Sequence, residues 1–264
     1  MKSPFGAPSD ALLIGDLGEV QLVFLPRHGR GHRIPPDEVN YRANIDALKR
    51  AGVTDLISMS ACGSLREELP PGTFVLVDQY IDRTVDRARS FFGTGLVAHV
   101  SMAQPVCNRL VDTLAETAAE LGVAHRRGGV YLAMQGPQFS SLAESELYRS
   151  WGCDVIGMTN QPEAKLAREA ELCYASIAMV TDFDCWHQDH ADVEVKDILA
   201  VLRSNAERAR ELLGAALGRL AARPRPCSEG CERVLDSAII TPPAARDPEL
   251  MRKLDAVAGR VLQR

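Results

Sequence analysis

Short runs of strand-forming residues alternate with segments of helical periodicity through most of this chain. The apolar runs that indicate strands lie at residues 20–25, 55–60, 74–80, 129–134, 155–158 and 172–180. Apolar residues at helical spacing lie between and after them, at residues 39–51, 103–121, 141–151, 163–170 and 195–222. This alternation predicts an α/β fold, a single domain with a mixed central sheet flanked by helices, with ligands at loops that follow strand ends. Residues 20–25 are expected to form a buried strand.

The α/β domain is expected to occupy residues 1–222, because Arg223-Pro-Arg-Pro226 interrupts the last long helix. Residues 223–264 are predicted to be a proline-rich linker followed by one C-terminal helix over residues 247–263. Leu250, Leu254 and Val257 lie on one stripe of that helix, which is therefore expected to pack on the same domain or on a neighbouring subunit.

The charge balance and hydropathy of the chain argue against two classes of partner. Thirty Lys and Arg residues against 35 Asp and Glu give a net charge of -5. Nucleic-acid-binding proteins usually present a basic face to phosphates, so no nucleic-acid partner is expected. No apolar run approaches the ~20 residues of a membrane helix, and no basic-then-apolar leader opens the chain. We expect a soluble, cytoplasmic protein with no membrane partner.

Seven cysteines are scattered through mostly apolar segments, which is typical of reduced core thiols rather than a disulfide framework. Cys227 and Cys231 differ because their stretch is polar and flanked by proline. A Cys-x3-Cys pair with no second Cys or His pair beside it in sequence leaves free thiols, a bridge and a metal open, with the metal least favoured. The histidines have no HExxH spacing, so no catalytic metal is expected.

Three loops after predicted strands contain groups that suit an anion or a flat ring. The first, Arg27-His28-Gly-Arg-Gly-His32, offers guanidinium forks and glycines for a phosphate, although it fits a solvated basic turn as well. Ser60 and Ala61 belong to a small-residue turn that permits hydroxyl and amide contacts. Phe139, in Gln135-Gly-Pro-Gln-Phe-Ser140, either stacks on a ring or packs in the core.

A fourth loop carries two carboxylates at the end of the longest apolar strand. Asp182 and Asp184 lie two residues apart and would point the same way if strand geometry continues. Neighbouring carboxylates raise each other's pKa, so one can keep a proton near neutrality and donate it to a leaving nitrogen. Two solvated loop aspartates are the alternative.

Taken together, several strings carry a family resemblance. They are RHGRGHRIPPDEVNYRANIDALK, SACGSLREELPPG, DQYIDRT, QGPQFSS and VIGMTNQPEAKLAREAELCYASIAMVTDFDCW. Over about residues 3–216 the chain resembles the trimeric purine nucleoside phosphorylase family, and within it most resembles the 5'-methylthioadenosine phosphorylases. The resemblance implies a nucleoside phosphorylase-like α/β sheet, a homotrimer or dimer of trimers, and cleavage of a nucleoside by inorganic phosphate without a cofactor.

The resemblance also implies a role for each matching residue. Phosphate would be held by Arg27, His28, Ser60, Ala61 and Thr159, while Met158 would lie along the ribose. Phe139 would stack on the purine with Ser140 beside it, Asp182 would protonate N7, and Asp184 would bind the 6-amino group. His99 from an adjacent subunit, with Val195 and Ile198, would form an apolar pocket for a methylthio group. Relatives that prefer 6-oxopurines carry Asn at the position of Asp182, so 6-aminopurine nucleosides are expected.

Three departures from the family pattern leave alternatives open. No Gly-Gly-(Thr/Ser)-Gly phosphate loop occurs in the 264 residues, and Gln138 and Leu142 stand where the family has arginines. Either the natural chain starts upstream or part of the phosphate site is missing, in which case phosphate is expected to bind weakly and adenine normally. The expected activity is methylthioadenosine phosphorolysis. The alternatives are a hydrolase or phosphorylase of another 5'-modified adenosine, and a non-catalytic adenine-nucleoside-binding homologue.

Overall fold

Among the residues that the structure describes, seven strands form one mixed sheet and two more form a separate hairpin. The computed structural model describes residues 2–187 and 195–263. The strands are β1 (Leu13–Leu17), β2 (Val20–Phe24), β3 (Asp55–Ser64), β4 (Phe74–Val77), β5 (Gln79–Asp82), β6 (His125–Arg127), β7 (Val130–Ala133), β8 (Val155–Gly157) and β9 (Cys173–Phe183). The helices are α1 (Tyr41–Arg50), α2 (Asn108–Glu120), α3 (Leu142–Ser150), α4 (Asn160–Glu169), α5 (Val195–Ala221), α6 (Pro248–Lys253) and α7 (Asp255–Leu262).

The sheet order is β5-β7-β8-β3-β9-β4-β6. Neighbouring strands run parallel except for the β3–β8 and β4–β9 pairs, which are antiparallel. A mixed sheet flanked by helices is therefore present, and the fold predicted from the alternation of elements is confirmed.

Strand β9 is the central element of the sheet. All of its residues except Asp182 are buried, and it pairs along its length with β3. Continuous burial of this kind is typical of a strand whose two faces are both covered. Phe74 and Leu76 of β4 pack into the main core with Leu110 and Leu114 of α2. The carboxyl end of β9 is thus a rigid support for the residues that follow it.

Local capping fixes where α1 and α3 begin. The Asn40 side chain accepts a hydrogen bond from the Ala43 amide at the start of α1. Helix α3 starts with a capping box, in which Ser141 and Glu144 bond to each other's backbone amide. None of the helices in residues 2–187 and 195–263 is long and apolar enough to cross a bilayer.

The expectation of a buried strand at residues 20–25 is wrong. Strand β2 pairs only with β1, in an antiparallel hairpin outside the main sheet. Leu13, Ile14 and Phe24 are each more than half exposed. An apolar run in the sequence indicates residues that tolerate burial, but it does not identify the surface that covers them.

For residues 223–264 the sequence predicts a proline-rich linker followed by one helix. Instead, Cys227, Cys231 and Leu235 are buried in the main core with residues of α2, α4 and β9. The predicted single helix is two, α6 and α7, which meet at Leu254. The prolines interrupt helix without preventing burial, because short turns between them still present apolar side chains inward.

Candidate active site

Several predicted site residues lie on three neighbouring strands, β8, β3 and β9, or directly after them. Strands β3 and β9 are parallel, and Gly63 lies beside Asp182 in their register. Strand β8 runs antiparallel to β3, with Ile156 opposite Gly63. The chain after β8 therefore passes back along β3, which brings Thr159 towards Ser60. Ser60 lies on β3 about three residues back from the carboxylate pair, and Thr159 lies shortly after β8.

Arg27 is held in place by a buried carboxylate. Its Nε donates to Glu163 Oε2 at 2.6 Å and its Nη2 donates to Glu163 Oε1 at 3.0 Å. Nη2 also lies 2.5 Å from Ser58 Oγ, and Tyr174 OH donates to Glu163 Oε1 at 3.0 Å. Burial opposes ionisation of Glu163, but the Arg27 charge keeps the pKa of that carboxyl below its usual value. The guanidinium is therefore fixed in direction, as a specific anion site requires.

His28 is oriented by a backbone carbonyl. Its Nδ1 lies 2.8 Å from Ile34 O, and its ring stacks on His32 with centroids 4.2 Å apart. Because a carbonyl only accepts, Nδ1 is the protonated nitrogen and Nε2 is left as an acceptor in the neutral ring. Burial, with a smaller contribution from His32, lowers the pKa of His28. The Nε2 atom of a neutral His28 can accept a hydrogen bond from the hydroxyl group of a hydrogen phosphate.

Ser60 is half-buried on β3, and Ala61 after it is exposed. Ser60 Oγ lies 3.4 Å from the Oδ1 of Asn160, the residue after Thr159. The Thr159 hydroxyl is buried and has no hydrogen-bond partner in the described part of the chain. Along residues 55–62, β3 pairs with β9 but not with β8. This edge leaves backbone groups and one buried hydroxyl available to a ligand.

Asp182 and Asp184 face a common point at the ends of β3 and β9. A Cβ atom at Gly63 would lie 3.4 Å from Asp182 Oδ2 and 3.5 Å from Asp184 Cβ, so glycine leaves them room. Burial, reinforced by the Asp184 charge, raises the pKa of Asp182 to about 6, although the Thr181 hydroxyl donates to Asp182 Oδ1 at 2.6 Å. Burial also raises the pKa of Asp184, and its Oδ2 has no hydrogen-bond partner among the described residues. Asp182 can therefore donate a proton to a ligand, and the Oδ2 atom of Asp184 can accept a hydrogen bond from it.

The loop after β7 presents Phe139 to solvent. Phe139 is 70% exposed and does not pack in the core, whereas Ser140 beside it is buried. Gly136 has a φ of +66°, and a Cβ there would lie 2.5 Å from Met158 Sδ, so a larger residue is excluded. This contact brings Met158 against the loop that carries Phe139.

Sequence reasoning missed two residues that hold these loops together. Glu163 fixes Arg27, as described above. Arg87 is buried and donates to three carbonyls: Gln135 O at 2.6 Å, Met158 O at 2.7 Å and Gln161 O at 2.8 Å. It therefore joins the loops after β7 and β8. Glu163 lies in one of the strings that carry the resemblance and Arg87 lies outside them, but no local pattern indicates a contact with residues so distant in sequence.

We expect Arg87→Lys to lower the free energy of unfolding by about 2–4 kcal/mol, since one ammonium group cannot reach three buried carbonyls. The KM for nucleoside should rise as the loops separate. Chemical denaturation and steady-state kinetics measure the two effects. Arg83→Lys, at an exposed position, is the matched control. Equal small effects in both variants would contradict a role for Arg87 in holding the loops.

Of the three residues predicted to form the 5' pocket, the structure describes the side chain of His99. His99 is exposed, and its amide donates to Ala238 O at 2.9 Å. Val195 and Ile198 belong to α5, but their side chains lie outside what the structure describes. Gln138 and Leu142, where the resemblance expects arginines, are exposed near Phe139.

Proteins of known family share the sequence of this chain over most of its length. Residues 1–218 match the model of the family described as the phosphorylase superfamily. The chain belongs to the phosphorylase superfamily. It is 62% identical over 262 residues to the S-methyl-5'-thioadenosine phosphorylase of Rhodospirillum rubrum, which covers 99% of this chain and 89% of the relative. The corresponding enzyme of Geobacter sulfurreducens is 53% identical over 98% of this chain and 90% of its own length.

Solved structures in this superfamily agree with the fold. A methylthioadenosine phosphorylase from an antarctic soil metagenomic library superposes with a TM-score of 0.91 at 43% identity, over 97% of this chain and 90% of its own. A mutant of the adenosine/methylthioadenosine phosphorylase from Schistosoma mansoni, in complex with methylthioadenosine, gives a TM-score of 0.85 at 39% identity, covering 90% of each chain.

Proposed function

We propose that this chain cleaves 5'-methylthioadenosine with inorganic phosphate, releasing adenine and 5-methylthioribose 1-phosphate. The observation that carries the proposal is a half-buried Asp182 next to a buried Asp184 at the carboxyl ends of β9 and β3, with Arg27 bonded to Ser58 and Met59 farther back along β3. The methylthioadenosine phosphorylases among the relatives support the substrate. The chain is a pentosyltransferase that serves purine and methionine salvage, with phosphate as co-substrate and no cofactor.

The anion end binds phosphate. Arg27, whose orientation is fixed by Glu163, contributes a positive charge to the phosphate site. Neutral His28 accepts a hydrogen bond from a phosphate hydroxyl. Ser60, Ala61 and Thr159 contribute hydroxyl and backbone groups, of which the buried Thr159 hydroxyl is without a partner in the described residues. A phosphate oxygen held here attacks C1' of the ribose while the bond from C1' to N9 breaks. Positioning the nucleophile in this way removes much of the entropy cost of the bimolecular step.

The carboxylate end receives the departing base. The electron pair of the broken bond moves into the adenine ring, and Asp182 donates its proton to N7. Asp184 accepts a hydrogen bond from the 6-amino group, and Ser140 lies beside the ring. Phe139 stacks on the purine, for which its exposed ring is available. Met158 lies along the ribose between the two ends.

We also propose that the chain assembles in the cytoplasm as a homotrimer or a dimer of trimers. In the family that the sequence resembles, an adjacent subunit contributes the histidine that matches His99, and here His99 is exposed. Val195 and Ile198 would then line the methylthio pocket with it. Light scattering tests the assembly, since each chain has a mass of 28.8 kDa.

Activity should depend on the protonation of Asp182. Because its folded pKa is raised to about 6, the acid form is present below that pH and is lost as the pH rises through it. With saturating phosphate, kcat/KM for methylthioadenosine should fall on the alkaline side of a midpoint near 6. The kcat/KM of Asp182→Asn should not change with pH over that alkaline range. A limb that persists in Asp182→Asn would assign it to another group.

Substrate comparison tests the proposed specificity. Initial rates with methylthioadenosine, adenosine and inosine are measured at fixed phosphate. We expect methylthioadenosine to have the highest kcat/KM, adenosine to be slower because its hydroxyl is desolvated in an apolar pocket, and inosine to be slowest. Cleavage of inosine as fast as methylthioadenosine would contradict the preference for a 6-aminopurine base. A higher kcat/KM for adenosine than for methylthioadenosine would contradict the methylthio group as the preferred 5' substituent.

A further inference from the structure

Four buried cysteines from distant parts of the sequence meet at one point. Cys107 is the N-cap of α2 and Cys173 is the first residue of β9. Cys227 and Cys231 lie in the C-terminal segment, which folds back over the sheet. All four are buried, and their sulfur atoms lie within 4.8 Å of one another. The second cysteine pair that sequence spacing lacked is thus supplied by the fold.

The geometry fits one ion better than two separate bridges. Each sulfur is near all three of the others, so the four converge on a common centre rather than forming two isolated pairs. In a tetrahedral zinc site with Zn–S bonds of about 2.3 Å, the sulfurs lie about 3.8 Å apart. The Cys107 and Cys227 sulfurs are 3.6 Å apart. Modest side-chain adjustment therefore accommodates an ion.

The surroundings are arranged to stabilise thiolates. Arg168 Nη1 lies 3.6 Å from Cys231 Sγ. The Nε atoms of Arg168 and Arg109 are buried and have no hydrogen-bond partner within the described ranges. Arg223, also buried, pairs with Asp55 and Glu232 nearby. Arg109 also pairs with Asp55. The three guanidinium groups outnumber the two carboxylates, Asp55 and Glu232, by one positive charge, which offsets part of the net charge of -2 on zinc with four thiolates.

We propose that Cys107, Cys173, Cys227 and Cys231 bind one Zn²⁺ ion as a closed structural site. Four protein ligands leave no position for substrate or water, so the ion has no part in phosphorolysis. The site lies at the amino end of β9, about 30 Å along the strand from the carboxylate pair at its other end. Its effect is to attach the C-terminal segment to the sheet. Thiolate ligands favour zinc over magnesium or calcium.

Metal analysis of the purified, untagged chain tests this proposal. Mass spectrometry for elements should find about one zinc per chain after dialysis against a weak chelator. Titration with an organomercurial should release that zinc as the thiols react. Cobalt substituted for zinc should show the intense absorption bands of tetrahedral cobalt thiolate. A chain with no bound metal, with iron instead, or with a mass lower by two hydrogens per disulfide would overturn the proposal.

Variants separate this site from general effects of cysteine loss. Cys227→Ser combined with Cys231→Ser should lose the zinc and unfold at a lower temperature. Cys153→Ser, which alters a buried cysteine of another core cluster, should keep it. If the double variant fails to fold, the cobalt spectrum of the unmodified chain still decides the question. Zinc retained at full stoichiometry in the folded double variant would contradict the assignment.

Discussion

Replacing Asp182 with asparagine should lower kcat/KM for methylthioadenosine by about 10²–10⁴-fold, the usual contribution of a general acid. The amide can donate a hydrogen bond to N7 but cannot supply the proton that adenine needs as it leaves. Inosine should be affected much less, because an asparagine amide can also donate to a 6-oxo group. The ratio of kcat/KM for methylthioadenosine to that for inosine should therefore fall sharply.

Asp16→Asn is the control for this substitution. Asp16 is exposed on β1, away from the carboxylate pair. Its replacement should leave both substrates unaffected. An unchanged preference between the two nucleosides in Asp182→Asn would show that this carboxylate does not face the base.

Removing the Arg27 guanidinium should raise the KM for phosphate by about 10- to 10⁴-fold, because the enzyme loses one or two charge-assisted hydrogen bonds to phosphate. Arg27→Met alone would leave Glu163 buried without its partner, at a cost of about 3–5 kcal/mol in stability. Arg27→Met combined with Glu163→Gln removes both charges and avoids that cost. Kinetics at varied phosphate concentration measure the effect in the double variant.

Adenine binding provides the internal control for the Arg27 experiment. The purine end is built from Phe139, Ser140, Asp182 and Asp184, none of which touches Arg27 or Glu163 in the described structure. Calorimetry should give the same adenine affinity for the double variant and the parent chain. A phosphate KM that stays within about threefold of the parent value would remove Arg27 from the anion site.

Local pattern predicts Asp182 at the end of an apolar strand, and the structure has it near the end of β9. The pattern also predicts that a strand ends at Ser60, but β3 continues to Ser64, so Ser60 lies inside the strand. Most strand and helix segments are visible in the sequence as changes of periodicity. The short strand β6 is not, and the apolar run at residues 74–80 is two strands, β4 and β5, which are far apart in the sheet order. Strand β2 is visible as an apolar run, but its pairing with β1 outside the sheet is not, because a pattern records the polarity of a residue and not the surface that it meets.

Long-range contacts explain what local pattern could not supply. Glu163 reaches Arg27 across 136 residues, and Arg87 bonds the carbonyls of Gln135 and Met158, 48 and 71 residues away. Cys107 and Cys227 are 120 residues apart in sequence yet adjacent in the fold. Nothing in the sequence around any of these residues indicates which distant residue it contacts. Only the packing of the sheet determines which of them meet.

The most direct test of phosphorolysis is the fate of inorganic phosphate during adenine release. Purified chain is incubated with methylthioadenosine and phosphate, adenine is followed by absorbance, and phosphorus NMR follows the phosphate. We expect adenine and a sugar 1-phosphate to appear in equal amounts as inorganic phosphate falls, with little adenine formed when phosphate is omitted. Adenine released at the same rate without phosphate, or methylthioadenosine bound with no adenine formed at any phosphate concentration, would contradict the account.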